Sequence, residues 1–466
     1  MLLPIMLTFL LLATASALPC HVQGCHPNRQ YLIDLSHSSS GVSIAWKTEF
    51  ARYQPQGDGC TSVCDKVACP VIGSPGLVVF STNGKILWTS NELTSPPLPL
   101  FYVSEGVMDC DGKKLVGYFY NGTTRGRPID ILYPSRAFGV TKTESDIFTL
   151  AFSHGMLYTF DILAIPIASI YLKDTVKGMN GTFLPYLTPA VGGEMIYLLA
   201  YFMPDGCSSS DDASSVCLEM SAVHRLYAVN NTHLMAPRMN VTWHFEFEVN
   251  IEKGEKIERP NLLYFDEIVY FSAVVKDKDS NGRSTVFAVS DQGYKYRQLW
   301  MQTFNDTVHA ISYYTNTNTD SSADDRVHQI IVTTVSNEDT IFTILDPYTG
   351  DKRSVTSLRD VISDDVTVTV TSDVMVALPN SNMSSPAILI FGYAITDTRI
   401  IGSTEHMVGA LQLGTNPTIL WKIPTPDGHP VVGQLANYDC DIGKPSEQLV
   451  CTTEKTIFSI RINKVL

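Results

Sequence analysis

Asp277-Lys278-Asp279-Ser280-Asn281-Gly282 is the stretch whose residue types come nearest to ion chemistry. Its alternating oxygen-bearing side chains, Asp277, Asp279 and Asn281, can converge on one calcium ion while the glycine permits the sharp turn that gathers them. Ala288 stands where an EF-hand needs Glu, and Thr285 where a shorter loop would supply its last acid. The other reading is a polar hairpin turn between Val275 and Thr285. Sulfur is the second candidate. Cys60, Cys64 and Cys69 are spaced too irregularly for a zinc couple, and neither C-x-x-C nor adjacent cysteines occur, so disulfides are expected rather than a metal or redox centre. Cys207 with Cys217, and Cys440 with Cys451, bracket polar loops and are expected to close hairpins. Cys20, Cys25, Cys60, Cys64, Cys69 and Cys110 leave fifteen pairings open. Nothing else points to a reaction. The histidines are scattered with no H-E-x-x-H, no G-x-S-x-G elbow is present, and Asp324-Asp325 and Asp364-Asp365 read as solvated loop charge. Catalytic and cofactor-binding residues stay unassigned, with calcium the one ion the sequence admits.

The compartment is more legible. Residues 1–17 read as a signal peptide: an apolar run from Leu2 to Ala13, then Ala15-Ser16-Ala17 as a small-x-small cleavage site before Leu18. Sequons stand at Asn121, Asn180, Asn230, Asn240, Asn305 and Asn382, which implies a glycoprotein of the secretory route. An extracellular location is expected, with a lysosomal or other luminal compartment open. The chain of 466 residues is 17% charged with net charge -14, which speaks against disorder and against nucleic acid. Ile162 to Leu172 is too short for a membrane span and carries Pro166, so no membrane anchor is expected.

The elements that would position any site are strands. From about Pro70 onward, short runs rich in Val, Ile, Tyr, Phe and Thr alternate with Gly, Asn, Asp, Ser or Pro, for example Ile268 to Val275, Thr340 to Leu345 and Thr456 to Ile460. A unit recurs every 40 to 70 residues: a strand, a polar loop, a second strand, a tight turn, and a strand often ending in Leu-Trp. Trp46, Trp88, Trp243, Trp300 and Trp421 read as plugs between neighbouring sheets. Asn83-Gly84 suits a two-residue hairpin, and Asp346-Pro347 to Gly350 a turn ending in a left-handed glycine.

Leu345-Asp346-Pro347-Tyr348-Thr349-Gly350 and Gly84 to Trp88 resemble the repeats of pyrroloquinoline-quinone-like β-propellers, the quinoprotein alcohol dehydrogenase-like superfamily. That resemblance implies an all-β fold, a single propeller of four-stranded antiparallel blades. The anchors give seven or eight blades, eight being favoured. The last strands lack a Trp-bearing outer strand, which Val42 to Thr48 with Trp46 is expected to supply, closing the ring. The domain reading is 1–17 signal peptide, 18–69 cysteine-rich segment with the closing strand, and 70–466 propeller. Enzymes of this superfamily use adjacent cysteines over the quinone and a calcium held by Glu, Asn and Asp; no position here maps onto those roles. A non-enzymatic binding or scaffold module for a protein or carbohydrate partner is therefore expected, the alternative being a quinone- or metal-dependent oxidoreductase with its site in the central channel. The insertions Pro204 to Cys217 and Thr315 to Arg326 are expected to recognise the partner from one face.

Overall fold

The structure, a computed structural model, describes residues 41–462 apart from interruptions, the longest at 93–100, 208–221, 317–326, 378–385 and 438–447. Among the described residues the strands form eight antiparallel sheets. Sheets 1 to 7 occupy 54–90, 101–130, 137–171, 173–248, 256–304, 307–357 and 366–424, and sheet 8 combines 436–462 with the strand Val42–Glu49. The one helix among the described residues, Leu358–Ile362, is a single turn capped by Ser357 between sheets 6 and 7. Strands expected from β-branched and aromatic runs are present at Ile268–Lys276, Thr340–Leu345 and Thr456–Ile462. The strand Lys66–Ile72 runs across the boundary set at residue 70, so sheet 1 begins inside the cysteine-rich segment.

Within each sheet the chain steps outward from the first strand to the fourth. In sheets 1, 4, 5 and 7 the inner strand is broken, and two short pieces share one neighbour, as Lys256–Ile257 and Leu262–Phe265 share Ile268–Lys276. The inner strands touch in cyclic order: Thr61–Val63, Phe101–Val103, Ala137–Lys142, Ala190–Gly192, Leu262–Phe265, Thr307–Asn316 and Met375–Ala377. A parallel bridge from Ser372 to Gly433 leads on to sheet 8, whose inner strand Ala436–Asn437 returns to Thr61–Val63. This is a β-propeller. It closes as expected, because Val42–Glu49 pairs antiparallel with Thr456–Ile462 and completes sheet 8 from the other end of the chain.

The tryptophans hold the seams from the middle of the outer strands, beside a β-bulge. Trp88, Trp243, Trp300 and Trp421 each oppose one residue of the third strand, Val79, Ala228, Ala288 and Ala410, and the register slips at that point. The bulge turns the ring onto the next sheet's outer hairpin. Trp46 Nε1 donates to Thr82 O (3.2 Å), Trp88 Nε1 to Tyr120 O (3.0 Å) and Trp300 Nε1 to Pro347 O (2.8 Å). A Cβ at Gly350, which holds φ +75°, would lie 2.8 Å from the Trp300 ring, so the glycine is needed for both backbone and contact. Trp421 faces sheet 8, where the receiving hairpin is replaced by the two ends of the ring. Its Nε1 is buried without a partner, and its ring packs in the cluster with Ile462 and Val42.

Two local expectations need correction. Asn83-Gly84 is not a two-residue hairpin: Ser81 N bonds Lys85 O and Gly84 N bonds Ser81 O, a three-residue loop in which only Gly84 is left-handed. Cys451 is a free, buried thiol, so it does not pair with Cys440, which lies outside the described residues. The ladder explains why. Ala436 faces Val450 and Asn437 faces Leu449, which puts position 451 level with 435 rather than 440. Cys207 is disulfide-bonded, its partner lying outside the described residues, as does Cys217. Of the open pairings one is resolved: Cys60 is bonded to Cys69, since Thr61 pairs with Ala68 and the next step sets the two cysteines opposite, Cα atoms 4.3 Å apart.

Candidate binding surface

Antiparallel strands send alternate turns to opposite ends of a sheet. One face of the ring, the crossover face, carries the second-to-third turns and the connections between sheets; the other, the hairpin face, carries the first-to-second and third-to-fourth turns. The two long insertions therefore part company. Residues 205–222 join the second and third strands of sheet 4, whereas 317–326 join the first and second of sheet 6. The strands that flank the two insertions therefore end on opposite faces.

On the crossover face two arginines are tied to acids close by. Arg225, almost fully buried, bonds Asp174 (2.5 Å) and Glu246 (2.8 Å), and Arg283 bonds Glu255 (2.8 Å). Asp174 lies in the first strand of sheet 4, Lys173–Val176, and Glu255 just before the first strand of sheet 5, so each arginine ties down the start of its sheet. Burial raises the Asp174 carboxyl, but the Arg225 and Thr175 bonds outweigh it and hold it below its ordinary value. Asp277 directly follows the strand Ile268–Lys276 on this face, while Asp279 and Asn281 lie outside the described residues. Lys276 pairs with Gly282.

The hairpin face of sheets 5 and 6 is different. Asp266 and Glu267 join Phe265 to Ile268 in a two-residue turn, and both are left-handed, with φ of 50° and 59°. Neither is glycine, and each such residue costs about 1–2 kcal/mol. Such strain is held by the surrounding structure and concentrates at functional sites. Both carboxylates are exposed. Glu267 O accepts Asp291 N (2.7 Å), which brings the turn against the outer hairpin of sheet 5, where Tyr294 is 77% exposed beside Lys295 and Tyr296. From sheet 6, Tyr348 Oη donates to Asp266 Oδ2 (2.8 Å). Burial first, then that hydrogen bond, pushes the Tyr348 hydroxyl up to about 12, so it stays a donor at neutral pH.

The base beneath is tied together by side-chain hydrogen bonds. Asp291, buried at the seam of sheets 4 and 5, accepts Tyr197 Oη (2.5 Å), Trp243 Nε1 (2.9 Å) and Gly293 N (2.8 Å). Tyr264 stacks on Tyr197 at 4.8 Å. Asp346 receives the N–H groups of Tyr348 and Thr349 (2.9 Å each) and the Arg353 guanidinium. Three hairpins thus present tyrosines, carboxylates and the cations Lys295, Arg297, Lys352 and Arg353 together. Sequence reasoning missed all of these except the Asp346 turn. One signal was present: apolar runs ending at Phe265 and starting at Ile268 leave only two residues for a turn, and neither is Gly or Asn.

Asn121, Asn180, Asn240 and Asn305 are exposed, Asn230 is half-buried, and Asn382 lies outside the described residues. No family model matches the chain, and no curated protein matches it. Among solved structures, the Dos1 propeller is 10% identical with a TM-score of 0.53 over 93% of this chain and 98% of that one. BamB from Moraxella catarrhalis is 11% identical with a TM-score of 0.47, covering 90% and 100%. The computationally designed Ika8 protein is 12% identical with a TM-score of 0.49, covering 89% and 98%. The Dos1 likeness supports the propeller fold and nothing finer.

Proposed function

We propose that this chain is a secreted or luminal, N-glycosylated β-propeller of eight blades that binds a protein partner through the hairpin face of sheets 5 and 6. The blade number is supported by eight sheets whose inner strands touch in a cycle. Kinship with the pyrroloquinoline-quinone-like propellers is supported by the tryptophans seated on the neighbouring hairpin. The secretory reading is supported by the Cys60–Cys69 disulfide and by exposed sequons. The observation that carries the binding reading is the left-handed Asp266-Glu267 turn, held strained beside exposed Tyr294, Tyr296 and Tyr348. Tyrosines give large contact area at little entropic cost, and projecting turns suit a broad protein surface better than a small ligand, which prefers a concavity. Lys295, Arg297 and Lys352 favour an acidic border on the partner.

The test places a photo-crosslinking phenylalanine analogue at Tyr294 in the chain passing through its own secretory pathway. One protein is trapped, and Glu267→Gly or Tyr348→Ala reduces its affinity about tenfold, the equivalent of about 1.4 kcal/mol. Trapping of nothing, or trapping indifferent to both substitutions, overturns the reading.

A further inference from the structure

Two sequons stand face to face. Asn230 in the strand Val223–Thr232 pairs with Asn240 in Arg238–Glu248. Directly opposed residues of an antiparallel ladder project from the same side, their Cβ atoms about 5 Å apart, which leaves no room for two branched glycans. Their surroundings are unequal. Asn230 is flanked on its other side by Met195, which packs into the core shared with sheet 5, and its Oδ1 is buried without a partner. Asn240 is exposed on the outermost strand of sheet 4. That strand has eleven residues, against nine or fewer for the outer strands of the other sheets, so it offers the longest open row of unpaired backbone groups on the rim. Proteins shield such edges to prevent strand addition.

We propose that the folded protein carries a glycan at Asn240 and none at Asn230, and that this glycan guards the open edge of Arg238–Glu248. The inference rests on the N-glycosylated reading above. In the modification, Asn240 Nδ2 attacks the anomeric carbon of a lipid-diphosphate-linked oligosaccharide. A C–N bond forms, the C–O bond to the diphosphate breaks, the lipid diphosphate leaves, and the amide proton passes to a base. A chain modified at Asn230 would have to seat its first sugar in the seam between sheets 4 and 5 and does not reach the native state.

The experiment is peptide mapping of the full-length secreted protein, deglycosylated enzymatically in oxygen-18 water so that each used asparagine is marked. Position 240 is expected to be marked and 230 unmarked, with marks also at exposed sequons such as Asn121. Marks elsewhere but not at 240, or a mark at 230, overturn the inference alone; no mark anywhere overturns the glycoprotein reading with it. Thr242→Ala keeps Asn240 but removes its sequon, and Asn240→Gln removes the acceptor itself. Both variants are expected to self-associate on size-exclusion chromatography, and if either secreted variant stays monomeric the guarding role is wrong.

Discussion

Single residues decide how well each seam is made. Trp243 and Trp421 are similarly buried on equivalent outer strands, but only Trp243 has a partner for its indole N–H, the carboxylate of Asp291. Trp243→Phe loses a hydrogen bond to a buried charge, whereas Trp421→Phe also removes an unpaired donor. Urea denaturation is expected to show Trp243→Phe as the more destabilising by about 2 kcal/mol. Glu267→Gly frees a left-handed residue of its side-chain clash and should raise stability by about 1 kcal/mol while weakening partner binding. A variant that is less stable, or that binds unchanged, would show that the strain has no role in recognition. His406 sits beside Thr425, whose N–H donates to His406 O (2.9 Å), and near His429 and Asp427 on the crossover face. Burial first, then the charge of His429, lowers its pKa below the ordinary 6.5, outweighing Asp427. The unfolded chain therefore binds the proton more readily, so stability falls as pH drops through 6.5. Asp427, held low against burial by Thr453 and the His429 N–H, adds a loss in the same direction at more acidic pH. His406→Gln is expected to flatten the fall in melting temperature between pH 7.5 and 5.

At the scale of elements, the sequence carried the strands and the closure. The recurring tryptophan and hairpin anchors gave the outer strands, and the absence of one near the last strand pointed to Val42 to Thr48, the strand that the structure pairs with Thr456–Ile462. What it did not carry is register. The Cys60–Cys69 pair and the free Cys451 follow from which residues stand opposite, and alternation along a strand is silent on that. Burial in an apolar cluster pushes the Cys451 thiol up, so a thiol reagent is expected to label it only after denaturation. Labelling in the native protein would mean that sheet 8 opens readily. Among the described residues, the apolar stretch from Ile162 to Leu172 holds one strand, Pro166–Tyr171, with Ile165 exposed before it.

For the molecule as a whole, the candidate surface was illegible because it joins residues far apart in the chain. Asp266 meets Tyr348 across 82 positions, and no periodicity records that meeting. The division into two faces was equally hidden, since it depends on which strands each insertion joins. Epitope tags placed in 208–217 and in 317–326 are expected to bind two antibodies at once, one on each face; mutual exclusion would contradict the strand order. Closure by Val42–Glu49 has a consequence in time. Roughly 400 residues separate Glu49 from its partner Thr456, so at about 5–20 residues per second the first strand waits some 20 to 80 s for the ribosome to deliver its mate. It need not wait loose. Trp46 stacks on Phe80 at 5.2 Å and donates to Thr82 O, contacts supplied by sheet 1 as soon as that sheet is made. The same indole that seals the finished ring can hold the opening strand in place while the rest of the ring is synthesised.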